Sequence, residues 1–466
     1  MGFICGLCRI YCSHTGLKKS PVLRGRLFFG LLLALILLMV SCDKPARDYL
    51  PFDTSTRYEK EGDRLATAKR KMEAILAYQQ AVKQNGKNVS ALRKLARALA
   101  EQGRYRTARR YYQEAGAIRP ADGDLAKELN SLSPSPKTGT PLKLLWQRDI
   151  SEDVPTGLLV DDGVLYIALE NGLVLALSAA NGSVIWRAKM HSGAASGPAV
   201  GGGLVAVGGQ DGRVQTFKIN DGRPRWSFTT QAPVYAPPAV EADMVYCPSS
   251  DGCLYALTLS DGTLRWKYPT TGPLHSRPTL FNGVLYFGSG DARLYAVRAA
   301  TGVSRWPDGV LTQGPVESQP VLFGDRLLFG SGDGRVYALA ASSGTEYWRY
   351  STRDAVYARI VLSEDMAYVA SSGQTLTALD VKSGRPRWEL KMKSALTNSP
   401  AVTKNILYFV AAADPNLYAV DKAVGRILWR MNTGGWPASG PIIADGVLYL
   451  ADKDGTVLAY EIVPGI

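Results

Sequence analysis

The chain has 466 residues, with 54 basic and 41 acidic side chains, 47 glycines, 23 tyrosines and 3 histidines. Three scattered imidazoles, His14, His191 and His275, argue against a histidine-based metal centre, which draws on two or three at once. The net charge of +13 is lopsided: residues 1–141 hold 25 basic against 12 acidic side chains, while residues 142–466 hold 29 of each. A neutral major part speaks against a nucleic-acid groove there, because phosphate binding needs clustered lysine and arginine.

The first feature along the chain is an address. Lys18, Lys19, Arg24 and Arg26 precede an uncharged run from Leu27 to Val40, the order of charges and apolar residues in a secretory leader. The run is short for a membrane span, which needs about 20 residues. It ends in L-M-V-S-C at Cys42, which resembles the lipobox of bacterial lipoproteins, with Met39 where leucine is commoner. The resemblance implies that residues 1–42 form a signal peptide with its lipobox and that Cys42 is lipidated. The protein is then held on the periplasmic side of the cell envelope, the outer membrane favoured over the inner. Asp43 follows the cysteine, a residue that favours inner-membrane retention in enterobacteria but not in every lineage. Residues 1–16, with Cys5 and Cys8, read as an overlong start rather than a zinc site.

Residues 55–132 read as a small all-α module. In 89–122, apolar and small residues fall at Leu92, Leu95, Ala96, Leu99, Ala108, Tyr112 and Ala115, and Pro120 closes the pattern. Sliding back 34 residues puts Tyr58, Gly62, Leu65, Ala74, Tyr78 and Ala81 in the same slots. This resembles the tetratricopeptide repeat, a helix–turn–helix unit in which small residues let two helices approach and aromatics fill the gap. Two units and a capping helix near 123–132 are fewer than the usual three, so the module is expected to lean on something else. Arg104, Arg106, Arg109 and Arg110 give it a basic stretch, read either as a solvated face or as a docking surface for an acidic partner or anionic lipid. Residues 133–141, SPSPKTGTP, form a polar linker.

From 142 to 466 one pattern is restated. Trp146, Trp186, Trp226, Trp266, Trp306, Trp348, Trp388 and Trp429 recur at intervals of 40, 40, 40, 40, 42, 40 and 41 residues. Each interval holds short alternating apolar runs separated by turns such as Asp251-Gly252 and Asp261-Gly262, dipeptides that accept the positive φ of tight hairpins. Four antiparallel strands per interval, repeated, predict a β-propeller, whose closure leaves only short edges. The middle hairpins number eight, the last being GVLYLADKDGTVLAY, which has no tryptophan strand after it. The strand LKLLWQRDI has a tryptophan but no hairpin before it. The fold is therefore mainly β: an eight-bladed propeller over 142–466, latched by 142–150 pairing beside 456–462. The eight tryptophans are expected to pack between blades. Trp436, after Gly434-Gly435, falls off the repeat in a loop entering an inner strand.

The motif A-L-x-x-x-x-G-x-x-x-W, as at Ala256 to Trp266, resembles the repeat of pyrroloquinoline quinone propellers and equally that of BamB, the lipoprotein propeller of the outer-membrane β-barrel assembly machinery. The quinoprotein resemblance implies a calcium site of carboxylates and an amide, a catalytic aspartate and usually adjacent cysteines. The acidic residues here mostly occupy turns, where local backbone hydrogen bonding accounts for them, and no Cys-Cys pair is present. Cys247 and Cys253 flank one hairpin and are left open between a bridge and two small strand residues. His191 and His275 sit in loops with no recurring serine or carboxylate partner. No enzyme activity, cofactor or metal is expected.

What remains is a surface. The loops entering the innermost strands lie on one face and vary more than the hairpins, and variable tips on a rigid frame are where recognition is built. His275, Arg277, Glu317, Gln319, Tyr357, Arg359, Asn398 and Trp436 are their polar and aromatic members. The BamB resemblance implies that such loops in the middle blades hold the large barrel-assembly subunit, with GPLHSRP where that family carries an apolar–basic tip and GPVESQP where it carries an acidic one. It points to Leu274, Arg277 and Glu317. The fused helical module departs from that family. The function expected is a membrane-anchored periplasmic scaffold that binds protein partners, with a quinone-dependent dehydrogenase and a sensor of envelope ligands or polysaccharide as alternatives.

Overall fold

The computed structural model describes residues 54–120, 122–131, 142–150 and 155–463. The leader with Cys42 and the linker 133–141 lie outside them. Among the described residues no helix is long and apolar enough to cross a membrane.

Five helices come first: α1 (Thr54–Thr67), α2 (Lys71–Gln84), α3 (Val89–Glu101), α4 (Tyr105–Ile118) and α5 (Gly123–Ser131). The spacing of Leu92, Leu95, Ala96 and Leu99 gathers them on one face of α3, and all four are fully buried against Tyr78, Ala108, Tyr112 and Ala115. Gly62 has a steric reason, since a Cβ there would stand 2.4 Å from the Tyr78 ring. Asn88 starts α3 by accepting the Ala91 N–H at 3.0 Å, the usual work of an N-cap amide. Part of the module's positive charge is used internally. Arg93 and Arg97 reach Glu128 at 2.9 and 2.6 Å, and Lys94 reaches Glu59 and Asp63 at 2.8 and 2.7 Å.

The strands, β1 to β32 in chain order, then pair into eight four-stranded antiparallel sheets. Blade three shows the plan: β10 (Ala239–Glu241) is innermost, followed by β11 (Met244–Pro248), β12 (Cys253–Thr258) and the outermost β13 (Leu264–Pro269). Four successive residues of β11, Val245 to Pro248, and five of β12, Leu254 to Thr258, are buried. Strands covered on both faces carry such continuous buried runs. The outermost strand alternates instead, with every second residue exposed from Arg265 on. The Asp251 carboxylate takes the Cys253 N–H at 2.9 Å and Gly252 supplies φ +84°, so the Asp-Gly turn is locally determined.

The ring closes as the missing strand predicts. Strand β1 (Leu142–Asp149) lies antiparallel to β32 (Thr456–Ile462), in register from Leu142 opposite Ile462 to Asp149 opposite Thr456. First and last segments thus share the eighth blade, a latch that closes the ring and leaves only the short outermost strands as edges.

The tryptophans do pack between blades. The indole N–H of Trp186 donates to the Ile219 carbonyl of the next blade at 2.7 Å, and Trp146, Trp226, Trp266, Trp348 and Trp388 do the same one repeat along, at 2.7 to 3.1 Å. The paired glycine explains itself here. Gly262 has φ +75°, and a Cβ on it would stand 2.5 Å from the Trp226 ring. The position therefore needs glycine both for its backbone and for the ring lying over it. Trp306 and Trp429 are the exceptions, with buried indole N–H groups that find no acceptor among the described residues. Around Trp306 the repeat runs 42 residues and the outermost strand shrinks to Val310–Leu311. Cys247 and Cys253 are unbridged: Cys247 faces Tyr255 and Cys253 faces Pro269 across the ladders, so the two are not opposed.

Candidate functional site

The loops into the innermost strands of blades three to six share one frame, whereas those into blades two and seven open on Met190 and Met392 in place of its threonine. The threonine opens the frame: Thr270 Oγ1 donates to Gly252 O and is also 2.8 Å from Gly272 O, and Thr312, Thr352 and Thr433 repeat the arrangement. A buried apolar anchor follows, Val234, Leu274, Val316, Val356 or Leu396, none more than 1% exposed. Next comes a tip residue, and two positions later a residue at the neck of the channel, just before the innermost strand. The frame fixes the backbone and leaves tip and neck free to vary, which is how a rigid scaffold carries recognition.

The tips of blades three to six are Tyr235, His275, Glu317 and Tyr357, and the necks of blades four to six are Arg277, Gln319 and Arg359. Tyr235 stands beside His275. The other six, with Asn398, line a cavity of about 600 Å³ that continues between the innermost strands. Seven of the nine residues read from the sequence as a binding face are therefore brought together. Leu274 is not one of them: it is fully buried as its loop's anchor, packed with Tyr246, Leu254 and Leu285. Its apolar character serves the frame.

Trp436 is the other departure. It is covered by the helical module. Its N–H donates to the Gly103 carbonyl at 2.8 Å and its indole N–H to the Tyr105 hydroxyl at 3.1 Å. Gly103, at φ +77°, lies against the indole so closely that a Cβ would overlap it. Beside it Arg106 pairs with the fully buried Asp452 and donates to the Thr433 carbonyl at 2.6 Å. Asp454 takes the Arg106 N–H at 3.0 Å and the Thr107 N–H at 3.4 Å, serving as the cap that α4 lacks in its own sequence, and lies 3.7 Å from Arg104. Burial pushes the Asp452 carboxyl up to about 7, with Arg106 opposing and Asp454 adding to the shift. The basic stretch of the module thus has an acidic partner inside the same chain, and what the module leans on is blade eight. The sequence carried a signal for this, since Asp452 stands where four sister blades have Ser249, Ser289, Ser331 and Ser371.

At the open mouth, His275 is not isolated as the sequence suggested. Its Nε2 lies 3.0 Å from Ser250 Oγ and its Nδ1 lies 3.3 Å from Glu317 Oε1, and the Tyr235 ring meets it edge-on at 5.6 Å. Serine, histidine and carboxylate in that order are the parts of a nucleophilic relay, which also needs N–H donors aimed at a developing oxyanion. Three around Ser250 are already used: Ser250 N–H donates to Pro233 O at 3.0 Å, Asp251 N–H to Ser249 Oγ at 3.2 Å and Gly252 N–H to Ser249 O at 3.2 Å. The trio links blades three to five by polar contacts.

Deeper in, Gln319 Nε2 donates to Thr279 Oγ1 at 3.2 Å. Arg277 and Arg359 make no hydrogen bond or ion pair among the described residues. Burial within the ring pushes both guanidiniums below their ordinary value, and Arg359 adds to the effect on Arg277 while Glu241 opposes it. Among the described residues Glu317 is the only carboxylate lining the cavity, and it is engaged with His275. That donor set does not fit a calcium ion with a quinone above it, which calls for several oxygen ligands at one point.

No curated protein matches the chain. Solved structures that it resembles include BamB from Moraxella catarrhalis, 18% identical, covering 69% of this chain and 99% of that one with a TM-score of 0.62. The computationally designed Ika8 protein is 17% identical over 69% of this chain and 100% of its own, also with a TM-score of 0.62. A quinohemoprotein alcohol dehydrogenase, ADHIIG from Pseudomonas putida HK5, is 16% identical over 72% of this chain and 78% of its own, with a TM-score of 0.59. At such identities the likeness carries the propeller fold alone. The family model described as outer membrane protein assembly factor BamB matches residues 135–231, 170–319, 308–408 and 382–466, which together run from the linker to the last residue, and the chain belongs to that family.

Proposed function

We propose that the protein is a non-enzymatic scaffold of the bacterial cell envelope, anchored through Cys42 on the periplasmic side, that holds a protein partner on the loop face of its propeller in outer-membrane protein assembly. Family membership supports the setting. The observation that carries the reading is the contrast between frame and tips: loops with one threonine clamp and one buried anchor present His275, Glu317 and Tyr357 around an open mouth, and Asn398 joins them from a loop that keeps only the buried anchor Leu396. Tyr357 is 43% exposed and Tyr235 is 51% exposed, and aromatic residues on an accessible rim are typical of protein interfaces. The dehydrogenase reading has a fold neighbour in its favour and the lining of the channel against it.

Affinity capture from detergent-solubilised envelopes tests this. Wild-type protein is expected to recover a subunit of the barrel-assembly machinery. A double variant, Glu317→Ala with Tyr357→Ala, is expected to lose it while keeping its fold. Capture that is indifferent to these two tips sinks the assignment to this face.

A further inference from the structure

We propose that the channel neck receives the carboxylates of an acidic peptide segment, inserted from the loop face and held by Arg277 and Arg359. This rests on the reading of that face as a protein-binding surface and names the chemistry of what enters it.

The neck position is equivalent in every blade, which makes its composition readable. Around the ring it is Gly157, Gly197, Pro237, Arg277, Gln319, Arg359, Ser399 and Gly440. Positive charge is confined to one arc, with Gln319 between the two arginines. On the other arc, glycines allow close approach of neighbouring strands, as where a Cβ on Gly157 would stand 2.7 Å from Gly197 Cα. The consequence is a lopsided channel, with a cationic wall facing a wall from which little projects.

Arg277 is half-buried and Arg359 exposed; the two repel one another, and neither has a carboxylate in ion-pair contact, Glu241 acting on Arg277 only from beyond it, so the pair is left poorly compensated. The lining offers them nothing, because Glu317 is taken by His275. An anion between the guanidiniums offsets that repulsion. Guanidinium forks match planar carboxylates in two-point contacts, and the Gln319 side chain adds an amide beside them. The mouth favours a chain segment over a small free anion. It is open and rimmed by exposed Tyr235 and Tyr357, so a segment threading it covers apolar ring surface while its carboxylates reach the neck. A free anion would cover none.

The test is fluorescence anisotropy of a labelled oligoglutamate amide on the full chain in detergent at low ionic strength, with oligoglutamine of equal length and free tricarballylate as comparisons. Oligoglutamate is expected to bind, oligoglutamine not, and tricarballylate to compete only weakly. Arg277→Gln and Arg359→Gln are each expected to weaken binding about tenfold or more. Lys404→Gln, in a turn at the other end of the innermost strand, removes the same charge and is expected to leave binding unchanged. Both arginine variants should melt no lower than wild type, since each removes one of two like charges that repel, and this separates loss of binding from loss of fold. Absence of oligoglutamate binding overturns the proposal, as does an equal loss in Lys404→Gln. Tricarballylate that binds as tightly as the peptide overturns the assignment to a protein segment. If the arginine variants still capture the same envelope partner as wild type, the neck proposal fails and the scaffold reading stands. If wild type captures no envelope partner yet binds oligoglutamate, the scaffold reading fails instead.

Discussion

The loop entering blade eight and the loops entering blades four to six are built on one frame and end differently. Thr433 clamps the first as Thr270, Thr312 and Thr352 clamp the others. In blade eight the loop is covered by the protein's own helices, whereas in the middle blades it faces solvent around the channel. The covered loop shows what such a loop does when its partner is present. An indole is stacked under a glycine, a guanidinium sits on a buried carboxylate, and a second carboxylate finishes a helix. The open loops turn the same kinds of group, aromatic rings and arginines, toward the mouth and neck of the channel. On the proposed reading the difference lies in where the partner comes from, and the kinds of side chain offered are shared.

The sharpest way to break the comparison is to remove the frame beneath both regions. Trp186→Ala takes away a buried indole, its inter-blade hydrogen bond and its contact with Tyr166. It is expected to destabilise the ring by about 4 kcal/mol, measured by chemical denaturation, with both regions lost in one transition. A small effect would mean that the tryptophan ladder is not what joins the blades.

A smaller effect separates the regions. Arg106→Ala leaves Asp452 buried without its cation, a change that costs about 3 kcal/mol when one partner of a buried pair is deleted. The loss is expected to fall on docking. Hydrogen exchange at the Trp436 amide, which donates to Gly103, should accelerate while the inner strands of blades four to six stay protected. Asp454→Ala removes the borrowed cap of α4 and should cost about 2 kcal/mol, at the upper end for such caps. Its sign would be faster exchange in the first turn of α4 only. Uniform acceleration across the ring in either variant would show that docking and ring are not separable.

How legible these two regions were follows from how local their causes are. The ring was readable because glycine and tryptophan are restated at one interval, and closure was readable because one blade lacked a strand that the start of the chain had to spare. The open mouth was largely readable because tips vary where the frame does not. Leu274 was misread because the anchor stands one residue before the tip, and only burial tells the two apart. The contact of Arg106 with Asp452 joins residues 346 positions apart. The extra acid in Asp452-Lys453-Asp454 is visible in the sequence, but nothing local says which arginine it serves. The same holds for Ser250, His275 and Glu317, which ring curvature alone brings together.

The last and smallest expected effect uses the sign of a pH response to tell docking from the helical core. Glu128 is partly buried, which would raise its carboxyl, but Arg93 and Arg97 together hold it below the usual range. Its contribution to the module is therefore present above about pH 4 and lost as pH falls further. Asp452 has the opposite sign. Burial raises it to about 7, above the roughly 3.9 of an unfolded aspartate, so the folded protein holds the proton more tightly. Between those two values its contribution to stability grows as pH falls, and above about 7 the full cost of burying the ion remains. From pH 8 to pH 6 docking should tighten by about 1 kcal/mol through this group, read as slower exchange at the Trp436 amide once the intrinsic pH dependence of exchange is removed. Asp452→Asn should flatten that response and leave the acid loss through Glu128 unchanged. Docking that loosens from pH 8 to pH 6 would show that the Arg106 pair, and not the burial of Asp452, sets the charge state at this contact.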